Sequence, residues 1–152
     1  MIPEILLIGP GAIGSFYVGK LAQTGAKVSA LCHDDYDTIA SSGIKVQSVL
    51  GDFHFFPEPI RSVEDYNGKA DYIIVATKVL PEIDIVNLIR TAVKPWSSIV
   101  LLQNGIDIET PVANAYPDNE IISGLAFICV SRVSPGHVHH QDYGKLTIGK
   151  YP

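Results

Sequence analysis

The chain has 152 residues, of which 47% are hydrophobic and 18% charged, and its formal net charge is −5. This length allows one domain with its own core, and the composition is globular rather than disordered. The 11 lysines and arginines form no run, which argues against a nucleic-acid-binding surface. The N-terminus MIPEILLIG lacks the basic region of a signal peptide, and no apolar segment reaches the length of a membrane span. We therefore expect a cytoplasmic protein that does not enter a membrane.

The chain begins with a strand, a helix and a second strand. The apolar run EILLIG (4–9) is typical of a strand buried on both faces. Apolar residues then recur at helical spacing from Ala12 to Thr24, and Gly25 is suited to end that helix. The segment AKVSALC (26–32) predicts the second strand.

The middle of the chain continues this alternation. A short helix over 34–43 and a small β excursion over 44–60, with a turn near Gly51, are expected next. Two further buried strands are predicted at 71–77 and 97–105. One helix is predicted to begin at Pro81, with Ile85, Ile89 and Val93 on one face. Another short helix is predicted to begin near Thr110-Pro111.

The last third of the chain lacks helical periodicity. Strand-like segments at 120–133, 136–143 and 145–150 are joined only by SPG and a glycine, so neighbouring strands there must be antiparallel. The predicted fold class is therefore α/β. It is a Rossmann-like doubly wound parallel sheet over 1–152 with added antiparallel strands at its C-terminal end.

Gly9, Gly11 and Gly14 form a G-x-G-x-x-G motif between the first strand and the first helix. In this position the glycines allow a tight turn, close approach of the backbone to a pyrophosphate and close packing of the helix on the sheet. The helix N-terminus offers N–H groups to the phosphates. The motif alone is weak, but its strand-loop-helix context predicts a dinucleotide site.

The residues after the second strand leave the choice of dinucleotide open. Asp34 and Asp35 lie about 20 residues after the loop, where a carboxylate would bind the 2′-hydroxyl of NAD. Asp34 could equally cap the following helix. His33 is an alternative, weaker partner for the 2′-phosphate of NADP.

Two other strand ends carry polar residues. Thr77 and Lys78 end the third main strand, and Gln103, Asn104 and Gly105 end the fourth. Each could be an ordinary turn residue. Because carboxyl ends of parallel strands share one edge, together they favour a ligand site facing the glycine loop.

Four segments give the chain its resemblance to a known family: GPGAIGSF, ATK, LLQNGI and SPGHVHH followed by GKLTIG. They resemble the N-terminal NAD(P)-binding domain of ketopantoate reductases (2-dehydropantoate 2-reductases), in order and spacing. The resemblance implies hydride transfer from NADPH to the C2 ketone of 2-dehydropantoate, giving pantoate for pantothenate and coenzyme A synthesis. It implies catalytic roles for Lys78, near the nicotinamide, and for Asn104, between the cofactor ribose and the 2-keto acid substrate. The expected cofactor-binding residues are Gly9, Pro10, Gly11, Ala12, Ile13, Gly14, His33, Thr77, Lys78 and Asn104.

The sequence departs from the family pattern in two respects. His33 stands where the family commonly has an arginine for the 2′-phosphate, and two acids follow it, so NAD remains an alternative to NADP. The family's helical second domain, which supplies a general-acid lysine, has no counterpart in these 152 residues. We therefore expect a fragment that binds cofactor but turns over little substrate, and whose exposed apolar surface favours self-association into a homo-oligomer.

Alternative functions remain open on the sequence alone. One is another NAD(P)-dependent hydroxyacid or imine reductase of the same superfamily, and the other is a non-catalytic nucleotide-binding module. His137, His139 and His140 are expected to be surface or strand-pairing residues rather than metal ligands. Cys32 and Cys129 are expected to be core thiols of a reduced protein.

Overall fold

The computed structural model describes residues 1–103 and 105–152. The strands are β1 (Glu4–Ile8), β2 (Lys27–Leu31), β3 (Ile44–Ser48), β4 (Phe53–Phe55), β5 (Glu58–Ile60), β6 (Tyr72–Val75), β7 (Ser98–Leu101), β8 (Ile121–Ser134) and β9 (His137–Lys150). The helices are α1 (Ala12–Gln23), α2 (Tyr36–Ser42), α3 (Ile85–Leu88) and α4 (Glu109–Ala115), with a 3₁₀ turn at Val63–Asp65. Within this part of the chain, every helix falls short of what a membrane span requires.

A parallel sheet positions the candidate site. Its strands run in the order β8-β7-β6-β1-β2-β5, with every neighbouring pair parallel. The chain leaves β1 for β2 on one side and later returns to β6 on the other side. The strand order therefore reverses at the carboxyl end of β1, the place where ligands bind in open α/β sheets. The predicted Rossmann-like α/β class is confirmed.

Both faces of this sheet are covered. Alternate residues of β1 enter two different cores, because successive side chains of a strand point to opposite faces. Ile5 and Leu7 pack on the α1 side, whereas Leu6 and Ile8 pack with Ile73 and other residues on the opposite side. This explains why β1 appears in the sequence as a continuous apolar run.

The C-terminal strands extend the sheet and curl it around α1. β8 and β9 are antiparallel, as predicted, but β9 then pairs in parallel with β3, which pairs with β4. α1 contacts β3, β4, β8 and β9 as well as β1 and β2. The packing is close: a Cβ on Gly19 would lie 2.6 Å from the Phe55 ring.

Two predicted boundaries are wrong. The third helix begins at Ile85 rather than at Pro81, because the Asp84 side chain caps it by accepting from the Asn87 N–H at 3.3 Å. It has only one turn. The glycine expected to separate the last two strands, Gly144, lies within β9. There the chain forms an irregularity, with φ of 63° at Tyr143 and 144° at Gly144.

Candidate cofactor site

Gly9 makes the turn that leaves β1. Its φ is 97°, a conformation that residues with a side chain rarely adopt. A Cβ at this position would also lie 2.8 Å from both Thr77 Cγ2 and the Thr77 backbone nitrogen. Glycine is therefore required here on two grounds, and the loop is pressed directly against the end of β6.

Gly14 allows α1 to lie directly on the glycine loop. It is buried in the first turn of the helix, and a Cβ would collide with the Gly9 carbonyl oxygen and approach Leu7 Cδ1 to 3.0 Å. The sequence-based explanation of Gly14 as a packing glycine agrees with this geometry.

Gly11 differs from the other two glycines because neither strain nor packing requires it. Its φ is −81°, which any residue can adopt, and nothing among the described residues lies within 4 Å of where a Cβ would be. The space above Gly11 is therefore open at the carboxyl end of β1, the place where open α/β sheets bind their ligands. Close approach of the backbone to a pyrophosphate requires an open cradle of this kind.

The N-terminus of α1 provides the matching electrostatics. Gly11 is the N-cap residue and has no side chain to accept from the first N–H groups, and the first turn contains no acidic residue. The Ser15 hydroxyl donates to the Pro10 carbonyl at 3.0 Å and so holds the loop against the helix. Half-buried Ala12 and Ile13 complete the first turn. Unsatisfied N–H groups and the positive end of the helix dipole suit an anion.

The ends of β6 and β7 meet beside the glycine loop. The Gln103 amide donates to the Thr77 hydroxyl at 3.1 Å, which joins the two strand ends. The segments that follow the two strands also approach each other, since a Cβ on Gly105 would lie 3.2 Å from Val79 Cγ2. Lys78, the residue before Val79, is exposed. Asn104, predicted to contact cofactor and substrate, lies outside the described residues.

The end of β2 supplies the other side of the site. His33 and Asp34 are exposed, whereas Asp35 is buried and accepts from the His33 backbone N–H at 3.0 Å. Asp35, not Asp34, is the N-cap residue of α2, and neither makes a side-chain cap bond to the helix. The predicted alternative of Asp34 as helix cap is therefore wrong. Asp34 instead lies 3.8 Å from the guanidinium of Arg132.

Three predicted segments thus converge at one edge of the sheet. The glycine loop follows β1, His33 follows β2, and Thr77 with Lys78 follows β6, and both β2 and β6 pair with β1. Sequence reasoning missed Arg132, because this residue is brought to the end of β2 from β8. No local signal could have identified it.

Cys32 directly precedes His33 but has no exposed thiol. It is 1% exposed, and burial, followed by the charge of Asp35, raises the pKa of the thiol to about 12. A hydrogen bond with the Ile60 backbone opposes this shift only in part. Cys32 is a core residue, as predicted, whereas Cys129 is exposed, contrary to expectation.

The three clustered histidines are strand-pairing residues. His137, His139 and His140 of β9 pair with Lys45, Gln47 and Ser48 of β3. This is one of the two predicted alternatives, surface or strand-pairing positions, and among the three histidines His140 is fully buried. Its Nδ1 lies 2.7 Å from the Ser48 hydroxyl, and its Nε2 lies 2.6 Å from the Tyr143 carbonyl. Both ring nitrogens are therefore engaged by protein atoms.

The fold and the loop geometry define a Rossmann-like α/β domain with an open glycine-rich turn, the architecture of dinucleotide-dependent oxidoreductases. The family described as "Ketopantoate reductase PanE/ApbA" matches residues 5–152. This chain belongs to that family.

Individual relatives agree with this assignment. The chain is 35% identical over 150 residues to a 2-dehydropantoate 2-reductase from a Nostoc species. The aligned region covers 95% of this chain and 46% of that relative. The solved 2-dehydropantoate 2-reductase from Methylococcus capsulatus is 50% identical with a TM-score of 0.92, covering 98% of this chain and 49% of that one. The corresponding structure from Geobacter metallireducens is 35% identical with a TM-score of 0.88, covering 97% and 49%. The chain therefore spans about half the length of these relatives.

Proposed function

We propose that this chain forms the NADPH-binding part of a 2-dehydropantoate 2-reductase. The observation that carries the proposal is the open space above Gly11, at the N-terminus of α1 and between the ends of β2 and β6. The named activity of its relatives supports the substrate, a small 2-keto acid.

The glycine loop would hold the pyrophosphate. The backbone N–H groups of the first turn of α1 would donate to the phosphate oxygens, with Gly11 allowing the backbone to approach them. His33 would lie toward the adenosine ribose, and Thr77, fixed by Gln103, would border the phosphates on the β6 side. Bound NADPH would supply the hydride that reduces the C2 ketone.

Lys78 and Asn104 would act at the reactive end of the site. The exposed ammonium of Lys78 follows the strand end that contacts Gly9, so it is available to an anionic substrate carboxylate or to the developing alkoxide. The Asn104 amide would orient a ribose hydroxyl and the substrate. These assignments rest on the family resemblance and on the position of the two strand ends.

Turnover would need a proton donor in addition to the cofactor and the glycine loop. Reduction of a ketone requires a proton for the nascent alkoxide, normally from a positioned general acid. Because the chain spans about half the length of its relatives, we propose that residues 1–152 alone bind NADPH but do not reduce 2-dehydropantoate. Steady oxidation of NADPH by the purified 152-residue chain in the presence of 2-dehydropantoate would contradict this part of the proposal.

Calorimetric titration with NADPH tests cofactor binding. The wild-type chain is compared with Gly11→Ala, which fills the open space without straining the backbone, and with Gly149→Ala as the matched control. Gly149 also has no described atom within 4 Å of the position that a Cβ would take, but it lies in β9 near the far end of the hairpin. We expect Gly11→Ala to weaken NADPH binding at least about tenfold, and Gly149→Ala to leave it unchanged. Equal binding by all three proteins would exclude the loop as the cofactor site.

A second candidate is an NADH-dependent reductase of another 2-keto acid. The exposed carboxylate of Asp34 after β2 favours it, since an acid at this point can accept from a ribose 2′-hydroxyl. Tighter binding of NADH than of NADPH in the same titration would support this candidate.

A further inference from the structure

The end of β2 is where this fold distinguishes NADP from NAD. The residues about 20 positions after the glycine loop lie beside the ribose 2′ position, and an arginine nearby accommodates the 2′-phosphate. In this chain the position is held by His33 and Asp34, neither of which offers a permanent positive charge. Recognition of a 2′-phosphate must therefore draw its cation from another element.

The two acids at this point are not equivalent. Asp35 is buried, and its carboxylate is turned back to accept from the His33 N–H at 3.0 Å. The Asp35 carboxylate thus stabilises the local turn at His33. Asp34 has an 84% exposed side chain, and its Oδ1 lies 3.8 Å from Arg132 Nη2. At this separation and exposure the ion pair is weak and readily exchanged for a stronger anion.

The β8–β9 hairpin holds Arg132 at this place. The Lys45 N–H, just after α2, donates to the Gly136 carbonyl at 2.8 Å. A Cβ on Gly136 would lie 3.2 Å from Thr38 of α2. The turn of the hairpin is therefore anchored on β3 and packed against α2, the helix that follows Asp34. Arg132, which pairs with Val138 in the hairpin, lies within reach of the end of β2.

We propose that Arg132 recognises the 2′-phosphate of NADPH, replacing Asp34 as its partner on binding. This inference rests on the proposed cofactor-binding function. A guanidinium can donate two parallel hydrogen bonds to phosphate oxygens, and a phosphate monoester carries more negative charge than one carboxylate. The exposed Asp34 side chain then turns to solvent. The cation would thus come from the hairpin and not from the end of β2.

Arg61 is the other arginine near this edge, and its contacts differ. It follows β5, its guanidinium lies 3.8 Å from the centre of the Tyr36 ring, and it is 3.2 Å from the Asp37 carboxylate. The guanidinium is stacked and paired with the first turn of α2. This leaves Arg132 as the better candidate and makes Arg61 a useful comparison.

The test is calorimetric titration of the 152-residue chain with NADPH and NADH at low and moderate salt. Arg132→Ala is expected to raise the Kd for NADPH about tenfold or more and to leave the Kd for NADH unchanged. Asp34→Asn, which removes the competing charge, is expected to tighten NADPH binding and to leave the Arg132 effect in place. Lys150→Ala removes one positive charge from the other end of the same hairpin and is the control for overall charge.

The outcomes separate this inference from the proposed function. If the wild type binds NADPH and Arg132→Ala changes the Kd values for both cofactors equally or not at all, the inference is overturned and the cofactor site stands. It is also overturned if Arg61→Ala, and not Arg132→Ala, removes the preference for NADPH, or if the wild type binds NADH more tightly. Binding of neither cofactor by the folded wild type would overturn the proposed function itself, and the inference with it.

Discussion

The imidazole of His140 stacks against the ring of Phe16, with the two ring centres 4.4 Å apart. Its Nε2 donates to the carbonyls of Asp142 and Tyr143, and its Nδ1 lies 2.7 Å from the Ser48 hydroxyl. One buried side chain therefore joins α1, β3 and the irregular part of β9.

Replacing His140 is expected to destabilise the fold. His140→Ala removes the stacking on Phe16 and leaves buried carbonyls without their donor, so we expect the free energy of unfolding to fall by about 2–4 kcal/mol. His139→Ala, at the neighbouring position of β9 but only half-buried, is the control and should cost less than about 1 kcal/mol. Urea unfolding followed by circular dichroism measures both. Equal losses would show that the buried hydrogen bonds of His140 contribute little.

The glycines of the loop are expected to differ in what they do for stability. Gly14→Ala forces a methyl group against the Gly9 carbonyl and Leu7, so it should lower the free energy of unfolding by about 1–3 kcal/mol. Gly11→Ala, with open space at the same loop, should cost no more than about 1 kcal/mol, because its only penalty is that alanine is a poorer N-cap than glycine. Thermal unfolding of the two variants beside the wild type checks this. A stability loss for Gly11→Ala as large as that for Gly14→Ala would contradict the open cradle.

The two thiols are expected to differ in reactivity. Cys129 is exposed, whereas Cys32 is buried and its pKa is raised to about 12, so at neutral pH it is neither accessible nor ionised. A chromogenic disulfide reagent should therefore titrate one thiol in the native chain and both in denaturant. Cys129→Ser should abolish the native reaction. Rapid reaction of that variant without denaturant would show that β2 opens readily.

Stability is expected to fall at alkaline pH. Burial, followed by the charges of Glu4, Asp71 and Glu58, raises the pKa of Tyr66 from 10.0 to about 12. The unfolded chain then loses this proton at lower pH than the folded chain, so the unfolded state binds fewer protons and the free energy of unfolding decreases as pH rises. The decrease begins near pH 10.0, the ordinary pKa of a tyrosine, and ends near pH 12.

Ionisation of Cys32 also lowers the free energy of unfolding as pH rises, because burial raises the pKa of its thiol from 9.0 to about 12. This decrease begins near pH 9. Melting temperatures measured from neutral pH to pH 12 should therefore fall progressively, and Tyr66→Phe should reduce the fall at its upper end. An unchanged alkaline profile in Tyr66→Phe would assign the decline to other groups.

Much of the parallel sheet could be predicted from the sequence. Buried strands, glycine turns and amphipathic helices depend on residues close together in the chain, and these interactions leave a local pattern. The loop 9–14 is the best example, because the turn at Gly9 and the packing at Gly14 depend on the strand and the helix directly beside them. Thr77 and Lys78 could be placed at the same edge because parallel strands share the direction of their ends.

The sequence by itself thus determined the α/β class, the position of the loop and the strand ends that face it. Tertiary structure decided the pairing of β9 with β3, the burial of His140 and the approach of Arg132 to Asp34. Each of these depends on the register between strands that are distant in the chain. Such register is set by the packing of the whole sheet around α1, and no local periodicity encodes it.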